Sequence, residues 1–516
     1  MAKLGILDIG TNSIHMVLAE VEPDGSYKIL DRFKDMTRLG DGAFKTRRLS
    51  EAAMTRGLEV IRTLTTLARN KGYDRIRAVA TSAVREARNG GEFIEEIARQ
   101  NKLRVRVVSG QEEARLIYLG VRRSMDLSGL PTLVVDVGGG SVELIVGNRD
   151  TMLHGQSLKL GAIRLKDQFL KDDPPSKGML REMQQAIDRD LKAAFSQFRT
   201  KRFERLVGTS GMAANLADII YLHRTGRPIP QLNMATVSFK EIQAVESQLK
   251  RATFKERLAI PGLDPKRADT LLPAAAVLRS VMELTDLREM TLSDKAIREG
   301  IIFDFIEKHQ EGIKTEQEIP NIRRRNIIYL ARRCQYAEAH SHHVAKLATR
   351  LFDETVALHG FGEREREWLE YAALLHDIGY LINSRQHHKH TYYLITHSDL
   401  NGFAVDEIEM IANIARYHRR ALPQADHESV KTLSGKRRKI LDILSAILRI
   451  ADALDRSQFA VVKDLRVKLG RPVTVRLDTS GDAELELWAA RGRADLFERV
   501  FGRPIEFEPI ASSNGN

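Results

Sequence analysis

Two stretches in the first half of the chain share one alternation of apolar runs and glycine turns. Residues 133–146 run from a β-branched apolar segment through a carboxylate and a glycine turn into a second apolar segment, and residues 6–19 repeat this order. Apolar, β-branched segments bounded by glycine are typical of buried strands. The copies align without a gap, because Asp8 matches Asp136, Gly10 matches Gly138 and Ser13 matches Ser141. We therefore predict two lobes of one design that face each other.

The rest of the first half alternates between strand and helix patterns. Helical spacing predicts a long amphipathic helix after its N-cap Ser50. Short strands are predicted at residues 75–80 and 103–108, and a third strand leaves through residues 208–211 into a helix. The predicted lobes span residues 1–127 and 128–310.

The pattern changes after residue 310. Residues 311–325 begin as a polar segment with glycine and proline, which favours a linker. Residues 326–460 are predicted to be almost entirely helical and are rich in histidine. Residues 461–510 predict a small α/β subdomain, with strands at 465–469, 473–477, 484–487 and 505–507 and a helix at 490–501. Residues 511–516 are expected to be a disordered tail.

Composition narrows the class of protein. A chain of 516 residues is too long for one hydrophobic core. Its single cysteine, Cys334, excludes an intrachain disulfide and fits a reducing compartment. No signal-peptide pattern and no apolar run of membrane-spanning length occurs, so we expect a cytoplasmic protein without a membrane partner.

The net charge of +12 and a sequence pI near 9.6 indicate a polyanionic partner. Aromatic content is low and no recognised nucleic-acid motif is present, so nucleic acid is not expected. A phosphate polymer or a highly phosphorylated nucleotide accounts for the same charge.

Glycine turns beside carboxylates indicate phosphate chemistry. Consecutive backbone N–H groups bind anions, and a neighbouring carboxylate can hold the divalent cation that a phosphate carries. Asp8 and Asp136 precede the two turns, and Glu143 lies on the strand that leaves the second one.

Two predicted helix starts add polar groups. Residues 109–112 fit the capping box S-x-x-E, in which the two side chains bond each other's backbone N–H groups. Glu113 follows without such a task, so it either orients and deprotonates water or simply favours the helix N-terminus. Thr81 and Ser82 are predicted caps of another helix, whose N-terminus favours anions. Arg85, one turn on, either clamps a phosphate or forms a surface ion pair.

Histidines and carboxylates on apolar helices mark the second half. Buried charge is costly unless it is paired or bound to metal. Imidazole and carboxylate ligands together suit Zn²⁺, Mn²⁺ or Fe. We predict metal or phosphate binding for the set His340, His342, His343, His376, Asp377, His387, His388, His390, His418 and Asp452.

Five motifs resemble, in order, those of the exopolyphosphatase / guanosine pentaphosphate phosphatase family. They are residues 8–13, 81–85, 109–118, 136–141 and 208–211. The resemblance covers roughly residues 1–310 and implies an actin-like (ribonuclease H-like) pair of α/β lobes with the active site between them. The second half resembles the helical domain of the family's long members, which is similar to HD-type metal phosphohydrolases.

The resemblance also implies an activity and its residues. An exopolyphosphatase hydrolyses the terminal phosphoanhydride bond of inorganic polyphosphate with Mg²⁺, and a homodimer is expected. Glu113 is the implied catalytic base, and the implied Mg²⁺ ligands are Asp8, Asp136 and Glu143. Phosphate contacts are expected at Gly10, Thr11, Asn12, Ser13, Thr81, Ser82, Arg85, Gly138, Gly139, Gly140, Ser141, Gly208, Thr209, Ser210 and Gly211. The HD-type set, a candidate site for Mn²⁺, Zn²⁺ or Fe, is His340, His376, Asp377, His390, His418 and Asp452.

Other functions fit the same sequence. Guanosine pentaphosphate hydrolysis would use the same cleft and the same catalytic residues. A kinase would need an acceptor site and an adenine pocket, and neither is identifiable. A non-enzymatic polyphosphate or nucleotide sensor, or a separate phosphohydrolase centred on the HD-like domain, is also compatible with the histidine-rich half.

Overall fold

The computed structural model describes residues 2–23, 25–127, 131–198, 202–309, 321–419 and 421–510. The chain divides into two compact units, Met1–Ile322 and Arg323–Asn516. This division falls inside the predicted linker 311–325. Residues 311–320 of the linker, residue 310 before it, residues 128–130 at the predicted lobe boundary and the predicted tail 511–516 lie outside the described residues.

The first unit alternates strands and helices. Its strands are β1 (Ala2–Ile9), β2 (Ile14–Val21), β3 (Tyr27–Asp35), β4 (Ile76–Ala80), β5 (Val105–Val107), β6 (Thr132–Val137), β7 (Val142–Gly147), β8 (Met152–Leu158), β9 (Arg205–Thr209), β10 (Thr236–Ser238) and β11 (Glu289–Leu292). Its helices are α1 (Ala43–Thr46), α2 (Glu51–Asn70), α3 (Ser82–Glu86), α4 (Gly90–Asn101), α5 (Gly110–Arg122), α6 (Ala162–Phe169), α7 (Lys177–Ser196), α8 (Ser210–Thr225), α9 (Phe239–Arg251), α10 (Phe254–Leu258), α11 (Leu271–Thr285) and α12 (Ile297–His309), with a 3₁₀ turn at Pro265–Arg267.

These strands form two sheets of related topology. The first has the order β3-β2-β1-β4-β5, and the second has the order β10-β11-β9-β6-β7-β8. In each sheet a hairpin, β1–β2 or β6–β7, is followed by a strand that joins its first member in parallel, β4 or β9. The predicted duplication is thus present in the topology. The α/β, actin-like two-lobed fold is confirmed.

Helices α5 and α12 pack between the sheets, and their apolar side chains join both lobes into one core. The helices approach closely at two glycines. A Cβ at Gly300 of α12 would lie 1.8 Å from the carbonyl oxygen of Leu116, and a Cβ at Gly120 of α5 would lie 2.4 Å from that of Ala296. This contact holds the first turn of α5, which carries Glu113, at a fixed depth.

The second unit is mainly helical. Its helices are α13 (Ile322–Arg333), α14 (Glu338–Glu354), α15 (Val356–His359), α16 (Glu363–Leu375), α17 (His387–Thr396), α18 (Val405–Arg416), α19 (Glu428–Lys431), α20 (Gly435–Ala453), α21 (Glu484–Arg491) and α22 (Ala494–Phe501), with a 3₁₀ turn at Ile378–Leu381. Strands β12 (Val462–Lys468), β13 (Val473–Thr479) and β14 (Ile505–Pro509) form a small sheet, antiparallel and then parallel. Helix α13 starts within the predicted linker.

One predicted strand of this subdomain is wrong. Residues 484–487 begin helix α21, and the helix predicted at 490–501 is divided between α21 and α22. The alternation Glu-Leu-Glu-Leu is typical of a strand whose leucines face the core. In the structure, however, Leu485 is exposed and Glu486 is buried. The Glu486 carboxylate accepts a hydrogen bond from the N–H of Ser457 at 3.1 Å, which stabilises the buried charge.

Candidate functional site

The two glycine turns have the same backbone geometry. The N–H of Gly10 donates to the carbonyl of Ser13 at 3.0 Å, and the N–H of Gly138 donates to that of Ser141 at 3.0 Å. A Cβ at Gly10 would lie 2.8 Å from the Ser13 oxygen, so glycine is needed for this close approach. The matched turns close the hairpins β1–β2 and β6–β7.

Both turns face one cleft of about 380 Å³ in the first unit. The predicted site residues that line it are Asp8, Gly10, Thr11, Asn12, Ser13, Thr81, Glu113, Asp136, Gly138, Gly139, Gly140, Ser141, Glu143, Thr209, Ser210 and Gly211. The fold therefore brings residues from five separate sequence motifs to one surface.

Two predicted phosphate contacts, Ser82 and Gly208, lie behind the cleft wall. Ser82 donates to Glu86 at 2.9 Å and packs under the second turn, where a Cβ at Gly140 would lie 2.5 Å from its Oγ. Gly208 is covered by Met290, whose sulfur would lie 2.5 Å from a Cβ there. Both residues pack the wall that the neighbouring loops line.

The predicted caps of α3 also differ from the observed one. Neither Thr81 nor Ser82 caps the helix with its side chain. Instead the N–H of Ala83 donates to Oγ1 of Thr11 in the first glycine turn at 3.2 Å. The start of α3 and the first turn are thereby tied together. At Ser50, by contrast, the predicted N-cap of α2 is confirmed by a bond from the N–H of Ala53 at 3.2 Å.

Arg85 contacts the candidate base. Its Nη1 donates to a Glu113 carboxylate oxygen at 2.8 Å and to the Val108 carbonyl at 2.8 Å. From the last turn of the short helix α3 the guanidinium reaches Glu113 behind the cleft lining. In this structure Arg85 therefore bonds the Glu113 carboxylate, and its predicted contact with phosphate stays a prediction.

The capping box at the start of α5 is half formed. Ser109 accepts the N–H of Glu112 at 3.1 Å as predicted. The Glu112 carboxylate bonds Arg115 and Arg106 at the surface, which displaces the reciprocal bond to Ser109. Glu112 therefore faces outward, whereas Glu113 next to it lines the cleft.

Four carboxylates are buried at the cleft floor: Asp8, Glu113, Asp136 and Glu143. Asp136 and Glu143 lie opposite each other in the β6–β7 ladder. Glu143 is 1% exposed and accepts a hydrogen bond from Oγ of Ser157 at 2.7 Å. The strand ends fix these side chains, because β1 and β6 are central strands of their sheets.

Burial and mutual repulsion shift these carboxyl groups in one direction. Burial, with a second contribution from Glu113, raises the pKa of Asp136 to about 7. Burial and the neighbouring Asp136 raise the pKa of Glu143 to about 7. Burial and Glu143 also raise the pKa of Glu113 well above its ordinary value, and Arg85 opposes the effect. The nearby arginines therefore do not offset the burial and mutual repulsion of these carboxyl groups.

These oxygens suit a magnesium ion, which binds through one or two carboxylates together with substrate phosphates. Asp8, Asp136 and Glu143 are oxygen donors on the cleft wall. These three carboxylates do not form a closed cage. Among the described residues, sets of three ligand atoms within 4.8 Å of one another are found only in the second unit. The cleft thus fits an Mg²⁺ ion that takes some of its ligands from these carboxylates and the others from a bound phosphate.

Three cations of the cleft have no sequence motif. Arg298 lies 3.5 Å from Asp8, and Arg267 packs against Gly211, where a Cβ would lie 2.3 Å from its Nη2. Lys34 is the third, and burial together with Arg267 lowers its pKa to about 8. They come from α12, a 3₁₀ turn and β3, and no local pattern marks them. Only the fold brings them together.

His15 is a further cleft residue without a sequence signal. It lies opposite Asp8 in the β1–β2 ladder, the position that Glu143 occupies opposite Asp136. Burial, together with Arg298, lowers its pKa to about 2, so the imidazole is neutral. The two copies of the hairpin therefore differ at this position.

A second cluster of ligand-type side chains lies within the second unit. His340 comes from α14, His376 and Asp377 follow α16, His418 follows α18, and Asp452 is near the end of α20. His376 Nε2 lies 3.4 Å from Asp452 Oδ1 and 3.6 Å from Asp377 Oδ2. Five of the six predicted HD-type residues therefore meet.

The sixth residue is different: His387, not His390, contacts Asp377. His387 Nε2 lies 3.3 Å from Asp377 Oδ1. The first turn of α17 presses on the 3₁₀ turn, because a Cβ at Gly379 would lie 2.1 Å from the His387 carbonyl oxygen. This close approach turns His387 inward and leaves His390 half-buried one turn on.

Two matched α/β lobes that enclose glycine turns and carboxylates define the actin-like class of phosphate-handling proteins. Within that class, the chain belongs to the Ppx/GppA phosphatase family. The family model matches residues 17–309, and the model of Ppx/GppA phosphatase domain III matches residues 322–479. The protein is thus a hydrolase that acts on phosphoanhydride bonds.

Solved structures agree with this assignment. An exopolyphosphatase from Cytophaga hutchinsonii is 29% identical with a TM-score of 0.56, over 59% of this chain and 98% of that one. The Aquifex aeolicus member of the Ppx/GppA family is 26% identical with a TM-score of 0.52, over 60% and 99%. An exopolyphosphatase-like protein is 27% identical with a TM-score of 0.55, over 60% and 98%. Among the described residues, no helix is both long and apolar enough to cross a membrane.

Proposed function

We propose that the protein is an exopolyphosphatase, which releases orthophosphate from the end of inorganic polyphosphate. The observation that carries this proposal is the cleft, where two matched turns, four buried carboxylates and three cations share one surface. Backbone N–H groups and cations bind phosphate oxygens, and a carboxylate with a raised pKa accepts a proton near neutral pH.

Glu113 is the proposed base. It takes a proton from a water molecule whose oxygen attacks the terminal phosphorus. The bond between that phosphorus and the bridging oxygen breaks, and its electron pair leaves on the shortened chain. Arg85 holds the Glu113 carboxylate at 2.8 Å, so the base is oriented before the substrate binds.

Asp8, Asp136 and Glu143 are the proposed ligands of Mg²⁺, which when bound neutralises charge on the transferring phosphoryl group. The turns at Gly10 and Gly138 present backbone N–H groups to the terminal phosphates. Arg298 and Arg267 line the same cleft and supply charge for the following phosphates.

The test is phosphate release from long-chain polyphosphate and from guanosine pentaphosphate, measured side by side with Mg²⁺. We expect polyphosphate to be consumed from its ends. Glu113→Ala should lower kcat by about 10²–10⁴-fold, the usual loss with a general base. Glu112→Ala is the matched control, because the neighbouring carboxylate faces outward to Arg115 and should leave kcat unchanged.

Each other outcome has a definite meaning. Preferred cleavage of guanosine pentaphosphate with the same dependence on Glu113 would assign the cleft to the nucleotide instead. Near-normal turnover by Glu113→Ala would contradict the assignment of Glu113 as the general base. Tight binding of polyphosphate without any phosphate release would favour a sensor.

A further inference from the structure

The cluster in the second unit has four imidazoles held in one orientation. Each Nδ1 lies within hydrogen-bond distance of an oxygen that only accepts: the Asp455 carboxylate for His340 at 2.7 Å and backbone carbonyls for His376, His387 and His418 at 2.6–3.1 Å. Each Nδ1 must therefore carry the proton. All four Nε2 atoms then point their lone pairs toward the centre of the cluster, as metal-binding histidines do.

The Nε2 lone pairs face the lone pairs of carboxylate oxygens and of other Nε2 atoms. Nε2 of His376 is fully buried and has no hydrogen-bond partner within the described part of the chain. It points at oxygens of Asp377 and Asp452. Nε2 of His387 and Nε2 of His418 lie 3.4 Å apart. Such contacts repel unless a proton or a metal ion lies between them, because a neutral imidazole with its proton on Nδ1 and a carboxylate can only accept.

Asp377 divides the cluster into two halves. Its Oδ2 lies 3.6 Å from Nε2 of His376 and 3.9 Å from Nε2 of His340, while its Oδ1 lies 3.3 Å from Nε2 of His387 and 3.6 Å from Nε2 of His418. The ligand atoms in each half lie within 4.8 Å of one another. Asp452 belongs to the first half, with its Oδ1 3.6 Å from Nε2 of His340.

We propose that the second unit holds a two-metal centre bridged by Asp377, which hydrolyses phosphate esters. One divalent ion would be bound by the half with His340, His376 and Asp452, and the other by the half with His387 and His418. Mixed nitrogen and oxygen ligands suit Mn²⁺, Fe²⁺ or Zn²⁺. Paired ions about 3.5–4 Å apart are the usual catalysts of phosphoryl displacement. This activity is independent of the one proposed for the first unit.

The centre is open on its carboxylate side. The side chains of Asp377 and Asp452 are 13% and 18% exposed, whereas the four imidazoles are at most 5% exposed. Tyr380 is 47% exposed and stacks on His387 with 4.1 Å between ring centroids. Arg419 lies 3.4 Å from the Tyr380 hydroxyl and forms no ion pair with any described residue. A cation at the opening suits the phosphate of the ester.

The proposed step is balanced without a further reactant. A water oxygen attacks phosphorus, the bond from phosphorus to the ester oxygen breaks, and the electron pair leaves with that oxygen. The proton lost by the water is taken up by the leaving alkoxide. The products are an alcohol and a phosphate with one ester bond fewer.

The metal test uses the full-length Glu113→Ala chain, which lacks the proposed base of the first unit. Electron paramagnetic resonance of the Mn²⁺-loaded protein should show the exchange-coupled signal of two bridged ions. Asp377→Asn and His387→Ala should each abolish the coupling, whereas the matched control His390→Ala should keep it. Asp455→Asn alters the group that supports His340 and leaves an oxygen that can still accept the N–H of Ala460, so it should weaken Mn²⁺ binding by about 10–100-fold. Uncoupled Mn²⁺ in the parent chain would overturn the two-metal centre.

The activity test uses the same proteins with bis(p-nitrophenyl) phosphate and p-nitrophenyl phosphate. We expect p-nitrophenolate release by Glu113→Ala with Mn²⁺, a loss of at least about tenfold on adding Asp377→Asn, and no change on adding His390→Ala. A coupled signal without hydrolysis of either ester would overturn the phosphoesterase and leave the metal centre. Loss of ester hydrolysis with Glu113→Ala alone would place the reaction in the first unit.

Discussion

At the scale of single residues, Glu143 shows the electrostatic consequence of burying several carboxyl groups together. It is 1% exposed, faces Asp136 and accepts a hydrogen bond from the neutral hydroxyl of Ser157 at 2.7 Å. Burial raises its pKa to about 7, and the Asp136 charge adds to the effect. Folding therefore makes this carboxyl group bind a proton more tightly.

A pH dependence of stability follows. An unfolded glutamate titrates near pH 4.3, roughly. Between that value and the raised pKa of Glu143, the folded protein binds more protons than the unfolded one, so the free energy of unfolding falls as pH rises. We expect denaturation without divalent metal to show a decrease on the order of 2 kcal/mol between about pH 5 and about pH 8. Added Mg²⁺ should offset it.

Glu143→Gln should reduce that decrease without removing it, because burial also raises the pKa of Asp136 to about 7. The matched control is Glu112→Gln, because Arg115 lowers the pKa of Glu112 and the group stays ionised across the window. A slope that is unchanged in Glu143→Gln, or that is reduced equally in Glu112→Gln, would contradict the contribution assigned to Glu143.

The site residues that could be predicted from the sequence are those that belong to a short local motif. Asp8 and Asp136 precede glycine turns, and Glu113 follows a capping serine, so short patterns predict them. Arg298 and His15 could not be found this way, because their partners lie on other elements. The exchange of His390 for His387 has the same cause, since helix α17 is positioned by its contact with Gly379.

At the scale of elements, the pair α5 and α12 sets the position of the proposed base. The carbonyl of Leu116, one turn beyond Glu113, would lie 1.8 Å from a Cβ at Gly300. The carbonyl oxygen belongs to the backbone of α5, and the backbone of α12 fixes the position of the Cβ, so a side chain there can be accommodated only by moving a helix.

Gly300→Ala should therefore affect stability and turnover together. We expect a loss of about 1–3 kcal/mol in the free energy of unfolding, the usual cost of overpacking, and a lower kcat on polyphosphate. Urea denaturation and steady-state kinetics measure the two. Gly91→Ala in α4 is the control, because a Cβ there meets no atom within 4 Å and should change stability by less than about 1 kcal/mol. Equal behaviour of the two variants would contradict the tight α5–α12 contact.

Element types were predictable where burial and periodicity agree. The hairpins β1–β2 and β6–β7 have apolar residues on both faces and are buried, as their sequences predict. Residues 484–487 show the opposite case. There Glu486 is buried while Glu484 and Leu485 are exposed, so the two faces that the alternation implies are absent and it predicts the wrong element.

At the scale of the whole molecule, the net charge of +12 should dominate the capture of a long polyanion. Salt screens such attraction over a distance of about 10 Å at 0.1 M. We expect the KM for long-chain polyphosphate to rise several-fold as salt increases past that point, with little change in kcat. Tripolyphosphate, which carries far fewer charges, should show a weaker dependence. Salt-independent KM values for both would contradict a role for net charge.

The division into two units was predictable from the change in composition near residue 310, and it falls at Ile322. The geometry of the histidine cluster in the second unit was harder to predict. A metal site depends on distances between helices and not on the spacing of residues along one helix. The homodimer that the family resemblance implies stays a prediction, and sedimentation of the full chain tests it.

The difference between the two copies of the hairpin bears on how a linear phosphate chain would be oriented in the cleft. In one copy a carboxylate faces a neutral imidazole, Asp8 with His15, and in the other it faces a second carboxylate, Asp136 with Glu143. A linear phosphate chain is identical when turned end for end, so the substrate carries no polarity of its own. The repeat is inexact, so the two walls of the cleft present different groups. Under the proposed function, the terminal phosphate would therefore meet one defined arrangement of groups whichever end of the chain enters.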